Sequence, residues 1–197
     1  GIAAAMMAAA QQLADEGERR VDLLLVVGEE QTSDGARAAN TLPATSRYLI
    51  NGEPTEGLLA TGAKGSMLVT LRTCGRAAHS AYPELGASAL APMLSLLPTL
   101  EELELPTDAR LGRTTVNIGT LHAGRAPNVI PDEATAQLLV RLVGDVAPVR
   151  DALERWSMGH AEIEFAPHIP AQHFHTVPGF ECAPVAYTSD IPLVDRW

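Results

Sequence analysis

The sequence predicts an α/β protein in which one domain is inserted into another. The first sixty residues are expected to run helix, strand, helix, strand, which is the order of an α/β layer. From about residue 65 to residue 169 the order becomes β-α-β-β-α-β, which is typical of the ferredoxin-like, or split βαβ, unit. The sequence contains no internal repeat and no low-complexity segment.

The first part begins with a helix, expected over residues 2–16, which are rich in Ala, Met, Gln and Leu. The apolar run Val21–Val27 does not alternate, and this pattern predicts a strand buried on both faces, as in a parallel sheet. The stretch "SDGARAAN" predicts a short helix capped by Ser33 or Asp34. Residues Ser46–Gly52 predict a second strand.

The second part contains strands that alternate between apolar and polar residues. They are expected in "SMLVTLRTCG", "RTTVNIGTLHAG", "ATAQLLVRLVG" and "HAEIEFAPHI". Two helices are expected, in "ELGASALAPMLSLLPTLEEL" and in "APVRDALERWSMG", which starts at a proline. Because the strands alternate, the helices should cover one sheet face and leave the other wet or available to a partner. A last strand, "APVAYTSD", is expected to rejoin the first sheet.

Composition limits the partners. The chain has 14 Lys and Arg against 24 Asp and Glu, and this acidity argues against nucleic acid because no basic stripe offers counterion release. No apolar run approaches the roughly 18 residues that a membrane span needs, so no membrane partner is expected. The two cysteines, Cys74 and Cys182, are far apart, and free thiols in a reducing cytoplasm are the simplest interpretation.

Three glutamates are candidates for metal chemistry. Glu29 and Glu30 follow the first predicted strand, and the carboxyl ends of strands are where α/β sheets bind ligands. Neighbouring side chains point opposite ways, so one acid could ligate a metal while the other faces a water beside it. Glu53 ends the next strand and would share a sheet edge with Glu30. The alternatives are a solvated acid pair and an ordinary Glu-Pro turn.

Polar residues of the second part are candidates for substrate contacts. His79 lies in a loop, where it could donate to an oxyanion or bind metal, or be a surface histidine. Asn117 and Asn128 flank strands, and Arg141 interrupts the apolar run "LLVRLV". An arginine matches a carboxylate, although an arginine on a solvent-facing strand side remains the alternative.

A histidine group near the end of the chain is a weaker candidate. His173 and His175 would share one strand face, with His168 nearby, and such a pair can bind metal. No Cys, Asp or Glu lies close to them in the sequence, which argues against a metal site there.

Together, the ordered motifs "VVGEEQTSDGA", "NGEPT", "KGSMLVTLRTCGRAAHSAYPELGASAL", "TVNIGTLHAGRAPNVIPDEA" and "VRLVG" resemble the M20 family of metallopeptidases and deacylases. The resemblance implies that Glu29 is the general base that activates a metal-bridging water. It implies that Glu30 and Glu53 are ligands of two different metal ions, expected to be zinc, with cobalt or manganese as alternatives.

The resemblance also implies roles for the inserted domain. Residues 62–172 would be a lid or dimerisation domain that forms a homodimer, and residues 1–61 and 173–197 a partial zinc-peptidase-like catalytic domain. His79 would steady the oxyanion in the partner subunit's site. Asn128 and Arg141 would hold the substrate, with Arg141 on its carboxylate.

The activity implied is hydrolysis of the amide bond of N-acyl amino acids, as in acetylornithine deacetylase. A carboxypeptidase or dipeptidase acting on short peptides is the alternative, and a non-catalytic dimerisation module applies if the chain is complete. The family also needs a His-x-Asp motif, a bridging aspartate and a C-terminal histidine, and none of the six histidines here has Asp two positions later. We therefore expect an internal fragment that binds zinc weakly and does not turn over substrate.

Overall fold

The computed structural model describes residues 1–30, 32–44 and 46–196, and the chain divides into two compact units. The terminal unit consists of Gly1–Ala60, His175–Ala183 and Ser189–Trp197. The inserted unit consists of Thr61–Phe174 and Pro184–Thr188.

The described residues form mixed α/β structure, as the sequence predicts. The helices are α1 (Ile2–Asp15), α2 (Asp34–Ala39), α3 (Leu90–Leu96) and α4 (Ala147–Ser157). The strands are β1 (Leu59–Ala63), β2 (Gly65–Cys74), β3 (Thr107–Asp108), β4 (Gly112–Arg113), β5 (Thr115–Ala123), β6 (Glu133–Leu142), β7 (Glu162–Phe165), β8 (Gln172–His173) and β9 (Cys182–Val185). Short 3₁₀ helices cover Pro83–Leu85, Leu97–Glu102 and Ile191–Leu193. Within these described ranges, no helix combines the length and the apolar character needed to cross a membrane.

The inserted unit is built on a four-stranded antiparallel sheet with the order β5-β6-β2-β7. The two central strands pair along their whole length, from Gly65 opposite Leu142 to Cys74 opposite Glu133. Helix α3 follows β2 and helix α4 follows β6, so the chain order is β-α-β-β-α-β. This topology confirms the ferredoxin-like unit that the alternating strands predict.

One face of this sheet carries the core of the inserted unit. Burial alternates along β2 and along β6, as expected when only one face is covered. Leu138 and Val69 are opposite each other in the ladder and are fully buried. Met93 of α3 and Leu153 of α4 pack into the same cluster, so the two helices cover this face. The other face keeps apolar side chains exposed, among them Leu68, which is 41% exposed.

The α-helix expected from "ELGASALAPMLSLLPTLEEL" ends before the apolar residues of that stretch do. It is α-helical as α3 and then tightens into the 3₁₀ helix Leu97–Glu102. Pro98 has no N–H to donate, which removes an α-helical hydrogen bond at this point and favours the tighter turn. The 3₁₀ segment is fixed to α4, because Trp156 Nε1 donates to Thr99 Oγ1 over 2.9 Å.

The terminal unit contains the predicted helices α1 and α2, but both strand predictions there are wrong. Val21–Val27 forms no strand, and Val27 is 77% exposed. Ser46–Gly52 also forms no strand, and Ile50 is 82% exposed. A strand needs a ladder partner for its backbone groups, and neither segment pairs with another segment among the described residues.

The last predicted strand is present as β9, which joins a different sheet from the one expected. It lies beside β1 in a three-stranded sheet with the order β8-β1-β9. In that sheet β1 runs antiparallel to β8, with Gly62 opposite His173. The expected partner, a strand at Val21–Val27, does not form.

Candidate active site

The acid pair lies on a compact turn that leads into α2. Thr32 N and Ser33 N both donate to Gly28 O, at 3.0 and 2.8 Å, and Gly35 N donates to Val27 O over 3.0 Å. A side chain at Gly35 would collide with the backbone of Val27, so this close approach requires glycine. Ser33 takes a left-handed conformation with φ of 54° as the N-cap residue of α2. The turn therefore presents Glu29 and Glu30 without the predicted strand.

Four carboxylates lie close enough for their charges to act on one another. Partial desolvation raises the pKa of Glu29, although its side chain is exposed, and the charges of Glu53, Asp190 and Glu30 raise it further. Burial also raises the pKa of Glu53, whereas a hydrogen bond from Asn51 lowers it and the charges of Asp190 and Glu30 raise it. We call Glu29, Glu30, Glu53 and Asp190 the acidic cluster. The charge of Glu30 thus reaches Glu53, although neither residue follows a strand as predicted.

Asp190 is the member of the acidic cluster that sequence reasoning missed. It is 7% exposed, and its Oδ2 has no hydrogen-bond partner among the described residues. It is the N-cap residue of the 3₁₀ helix Ile191–Leu193, and its carbonyl accepts from Leu193 N over 2.9 Å. The signal available in the sequence was the "SDIP" start of a helical turn directly after a predicted strand.

Side-chain bonds fix the segment after Asp190 to the end of α2. Asn40, the C-cap residue of α2, donates from Nδ2 to Asp195 Oδ1 over 2.7 Å. Its Oδ1 accepts from Arg196 N over 3.1 Å. These bonds join the segment after Asp190 to α2, the helix that follows the turn carrying Glu29 and Glu30.

The acidic cluster fits a divalent cation by its chemistry and is incomplete as a site. Its candidate ligand atoms are carboxylate oxygens, which suit Mg²⁺, Ca²⁺ and Mn²⁺ and also bind Zn²⁺. They include the buried Oδ2 of Asp190, which has no hydrogen-bond partner among the described residues. Across the described part of the chain, no three Asp, Glu, His or Cys side chains are arranged to hold a metal ion. The four carboxylates alone are therefore not a complete cation site within the described residues.

In the inserted unit, His79 and Asn128 come from two loops that are paired. His79 forms an isolated bridge with Val129, and Ser80 N donates to Asn128 O over 2.9 Å. His79 Nδ1 accepts from Ala81 N over 3.1 Å. That bond assigns the proton of the neutral ring to Nε2. The exposed His79 side chain thus presents an N–H donor to solvent or to a ligand.

Arg141 lies on β6, half-buried, at the far end of the strand from Asn128. Its Nη1 donates to Thr188 Oγ1 over 3.0 Å, and it makes no ion pair with a carboxylate in the described residues. From Glu133 to Arg141 the strand rises about 26 Å at 3.3 Å per residue. The structure therefore brings His79 and Asn128 together and leaves Arg141 apart from them.

Two of the three late histidines, His173 and His175, contact other side chains. His173 Nε2 lies 3.3 Å from Asp108 Oδ2. His175 stacks on Tyr48 with the ring centroids 6.3 Å apart. His173 and His175 therefore have different side-chain neighbours.

The ferredoxin-like sheet belongs to a class of domain found in peptidases. A family model described as "Peptidase dimerisation domain" matches residues 61–162. A "Peptidase M20 domain-containing protein" of Schizosaccharomyces pombe is 38% identical over 98% of this chain and 50% of that protein. A "Probable carboxypeptidase" of Paracoccidioides brasiliensis is 36% identical over 98% of this chain and 49% of that protein. The chain belongs to the M20 peptidase family.

Solved structures support the same fold. An aminopeptidase PepT from Bacillus cereus has a TM-score of 0.62 and 22% identity, over 86% of this chain and 52% of that chain. A tripeptidase from Staphylococcus aureus has a TM-score of 0.59 and 20% identity, over 86% of this chain and 51% of that chain. At this identity the similarity concerns the fold alone. The chain spans about half the length of the curated relatives that it matches.

Proposed function

We propose that this chain supplies the general base and part of the metal site of a hydrolase that cleaves an amide bond in a substrate with a free carboxylate. The observation that carries the proposal is the acidic cluster, in which Glu29 has a raised pKa beside three other carboxylates. A raised pKa suits a general base, because proton transfer is most efficient when the pKa approaches the working pH.

In the proposed reaction Glu29 takes a proton from the attacking water and later delivers it to the leaving amine. Glu30 and Glu53 would each hold one of two divalent ions, with zinc as the first expectation and cobalt or manganese as alternatives. Such ions, when bound, lower the pKa of water and polarise the scissile carbonyl. The Asn51 side chain donates to Glu53 Oε1 over 3.0 Å and would orient that carboxylate.

Residues of the inserted unit would bind the substrate. Arg141 carries a positive charge whose described partner is the neutral Thr188 hydroxyl, and this supports a role in binding a substrate carboxylate. His79 would donate from Nε2 to the developing oxyanion, with Asn128 beside it. The separation of Arg141 from His79 and Asn128 supports a homodimer in which His79 and Asn128 serve the partner's site.

Two substrate classes fit a carboxylate-binding arginine. A peptide with a free C-terminus is favoured by the relatives named "Probable carboxypeptidase". An N-acyl amino acid, as in acetylornithine deacetylase, presents the same carboxylate next to the scissile amide. Both reactions use the same residues of this chain, so the substrate class has to be measured.

The test is a chimera in which this chain replaces the matching half of the Paracoccidioides "Probable carboxypeptidase". We expect the chimera to hydrolyse short peptides or N-acyl amino acids when zinc is supplied. Glu29→Gln should lower kcat by about 10²- to 10⁴-fold, the usual contribution of a general base. Asp22→Asn, an exposed change in the same unit, is the matched control. An active Glu29→Gln chimera would disprove the proposal.

A second part of that experiment tests whether Arg141 binds the carboxylate of the substrate. Arg141→Met should raise KM for substrates with a free carboxylate and leave their amidated analogues unaffected, because only the former can pair with a guanidinium. Comparing the hydrolysis of peptides that have a free C-terminus with that of N-acetyl amino acids then separates carboxypeptidase from deacylase activity. An equal change in KM for both kinds of substrate would remove Arg141 from the binding site.

A further inference from the structure

We propose that Leu68 and Leu139 select a substrate in which the residue that bears the free carboxylate has an apolar side chain. Both leucines lie on the sheet face that α3 and α4 leave uncovered, which we call the open face. The inference rests on the proposed function, because it takes Arg141 as the residue that binds the carboxylate. It narrows the substrate to an amino acid such as leucine, either at the C-terminus of a peptide or with an N-acyl group.

Strand register places Arg141 and the two leucines next to one another on the open face. Burial alternates along β6, and Arg141 and Leu139 both belong to its less buried set. Leu139 is opposite Leu68, which is in the less buried set of β2. Two residues along a strand rise about 6.6 Å, and neighbouring strands lie about 4.8 Å apart. An amino acid whose carboxylate binds Arg141 can therefore place its side chain on the leucine pair.

The guanidinium of Arg141 is held in place and has donors left for a ligand. Its Nη1 donates to Thr188 Oγ1 over 3.0 Å, which uses one of the five N–H donors of the group. Its cross-strand neighbours, Ser66 and Thr115, are uncharged. Among the strand residues described on the open face, the nearest acid is Glu164, about 13 Å away along the strands. No acid of this face therefore competes with a substrate carboxylate.

The leucine pair is a small apolar patch with polar borders. Leu68 is 41% exposed, and its carbonyl accepts from Ala166 N over 3.0 Å, so Ala166 continues the row towards β7. Asn117, opposite Leu139, ends the row on the β5 side, and Gln137 begins the next row along β6. A patch of this extent matches one aliphatic or aromatic side chain.

The leucine pair and the arginine together define the ligand. A single exposed leucine is ordinary on a protein surface. Here the apolar pair adjoins a guanidinium that has no carboxylate partner among the described residues. The two features complement a carboxylate that is close to an apolar side chain. A polar side chain in the same place would lose hydration and gain no hydrogen bond from the leucines.

The test is an NMR titration of the 197-residue chain with N-acetyl-leucine and with N-acetyl-asparagine, whose side chain has a similar shape but is polar. N-acetyl-leucine should bind about 3- to 10-fold more tightly, because burying one methylene group contributes about fourfold. N-acetyl-leucinamide, which lacks the carboxylate, should bind about 10-fold more weakly than N-acetyl-leucine. The methyl signals of Leu68 and Leu139 should shift with N-acetyl-leucine.

Leu121 provides a matched control. It is 38% exposed, close to the value for Leu68, and it lies opposite the buried Ala136 and so on the other face of the sheet. Leu68→Ala should reduce the preference for N-acetyl-leucine over N-acetyl-asparagine to less than about twofold, because the apolar contact is lost. Leu121→Ala should leave that preference unchanged, and the methyl signals of Leu121 should not shift in the wild-type titration.

The inference and the proposed function fail in different ways. Equal affinity for N-acetyl-leucine and N-acetyl-asparagine, or unshifted signals of Leu68 and Leu139, would refute selection by the leucine pair and leave the proposed hydrolysis standing. If N-acetyl-leucinamide binds as tightly as N-acetyl-leucine, carboxylate binding by Arg141 is refuted and the inference fails with it. The chimera with Glu29→Gln tests the general base separately, because these titrations need no turnover.

Discussion

Two adjacent leucines of β6 offer a direct test of which sheet face carries the core. Leu138 is fully buried, whereas Leu139, on the opposite face, is half-buried. Burying a leucine side chain contributes about 1.5–3 kcal/mol, and the cavity left by truncation brings the usual cost of Leu→Ala to about 2–5 kcal/mol. Leu138 has a strand on each side, so collapse around the cavity is limited. We expect about 3–4 kcal/mol for Leu138→Ala and about 1 kcal/mol for Leu139→Ala.

The assay is urea unfolding of both variants at 25 °C, with the fluorescence of Trp156 reporting the inserted unit. Trp156 is suitable because its indole bonds to Thr99 and is half-buried. The second tryptophan of the chain, Trp197, is replaced by Phe in all samples so that one signal remains. Equal losses for the two leucines, or a larger loss for Leu139→Ala, would refute the assignment of the covered face.

Three further predictions concern the two units. The raised pKa of Glu53 means that the folded state binds more protons, so the free energy of unfolding should fall as pH rises from the ordinary glutamate pKa through the raised value. In Glu53→Gln, the melting temperature should depend less on pH across that range. Gly65→Ala should cost about 1–3 kcal/mol in urea unfolding, because its Cβ would collide with Ile169 O. Thr188→Val should cost about 1.5–3 kcal/mol in the same assay, because the Arg141 guanidinium loses its described acceptor.

The inserted unit was predictable because burial alternates from one residue to the next along its strands. When one face of a sheet is covered, every second residue is apolar, and β2 and β6 show this alternation directly. The order of helices and strands then leaves few topologies. At Pro98 the apolar spacing no longer predicts the helix type. The spacing continues past this residue, but proline has no N–H to donate an α-helical hydrogen bond.

The terminal unit was less predictable because a strand depends on a partner that the local sequence does not reveal. Val21–Val27 has the composition of a buried strand, yet Leu25 is 61% exposed. Composition indicates what a segment prefers beside a partner strand, and it does not indicate whether a partner is present. The same argument applies to Ser46–Gly52, where two apolar side chains are exposed.

The acidic cluster contains three glutamates that the sequence analysis selected and one aspartate that it did not select. Glu30 and Glu53 were expected to meet because each would end a neighbouring strand. In the structure, Glu30 lies on the turn that precedes α2, and Glu53 lies in a segment without a strand. Asp190 lies far along the chain from the three glutamates. The "SDIP" pattern indicates a helical turn at Asp190, but not which distant residues lie near it.

The burial of two of its members distinguishes the acidic cluster from a group of solvated surface charges. Glu29 and Glu30 are exposed, and taken alone they match a solvated pair. Glu53 is half-buried and Asp190 is buried, and both approach other acids without a basic partner among the described residues. Solvation does not stabilise that arrangement, because burial removes the water that would screen the charges. The case for Glu29 as a base therefore depends on Glu53 and Asp190 more than on the adjacent Glu30.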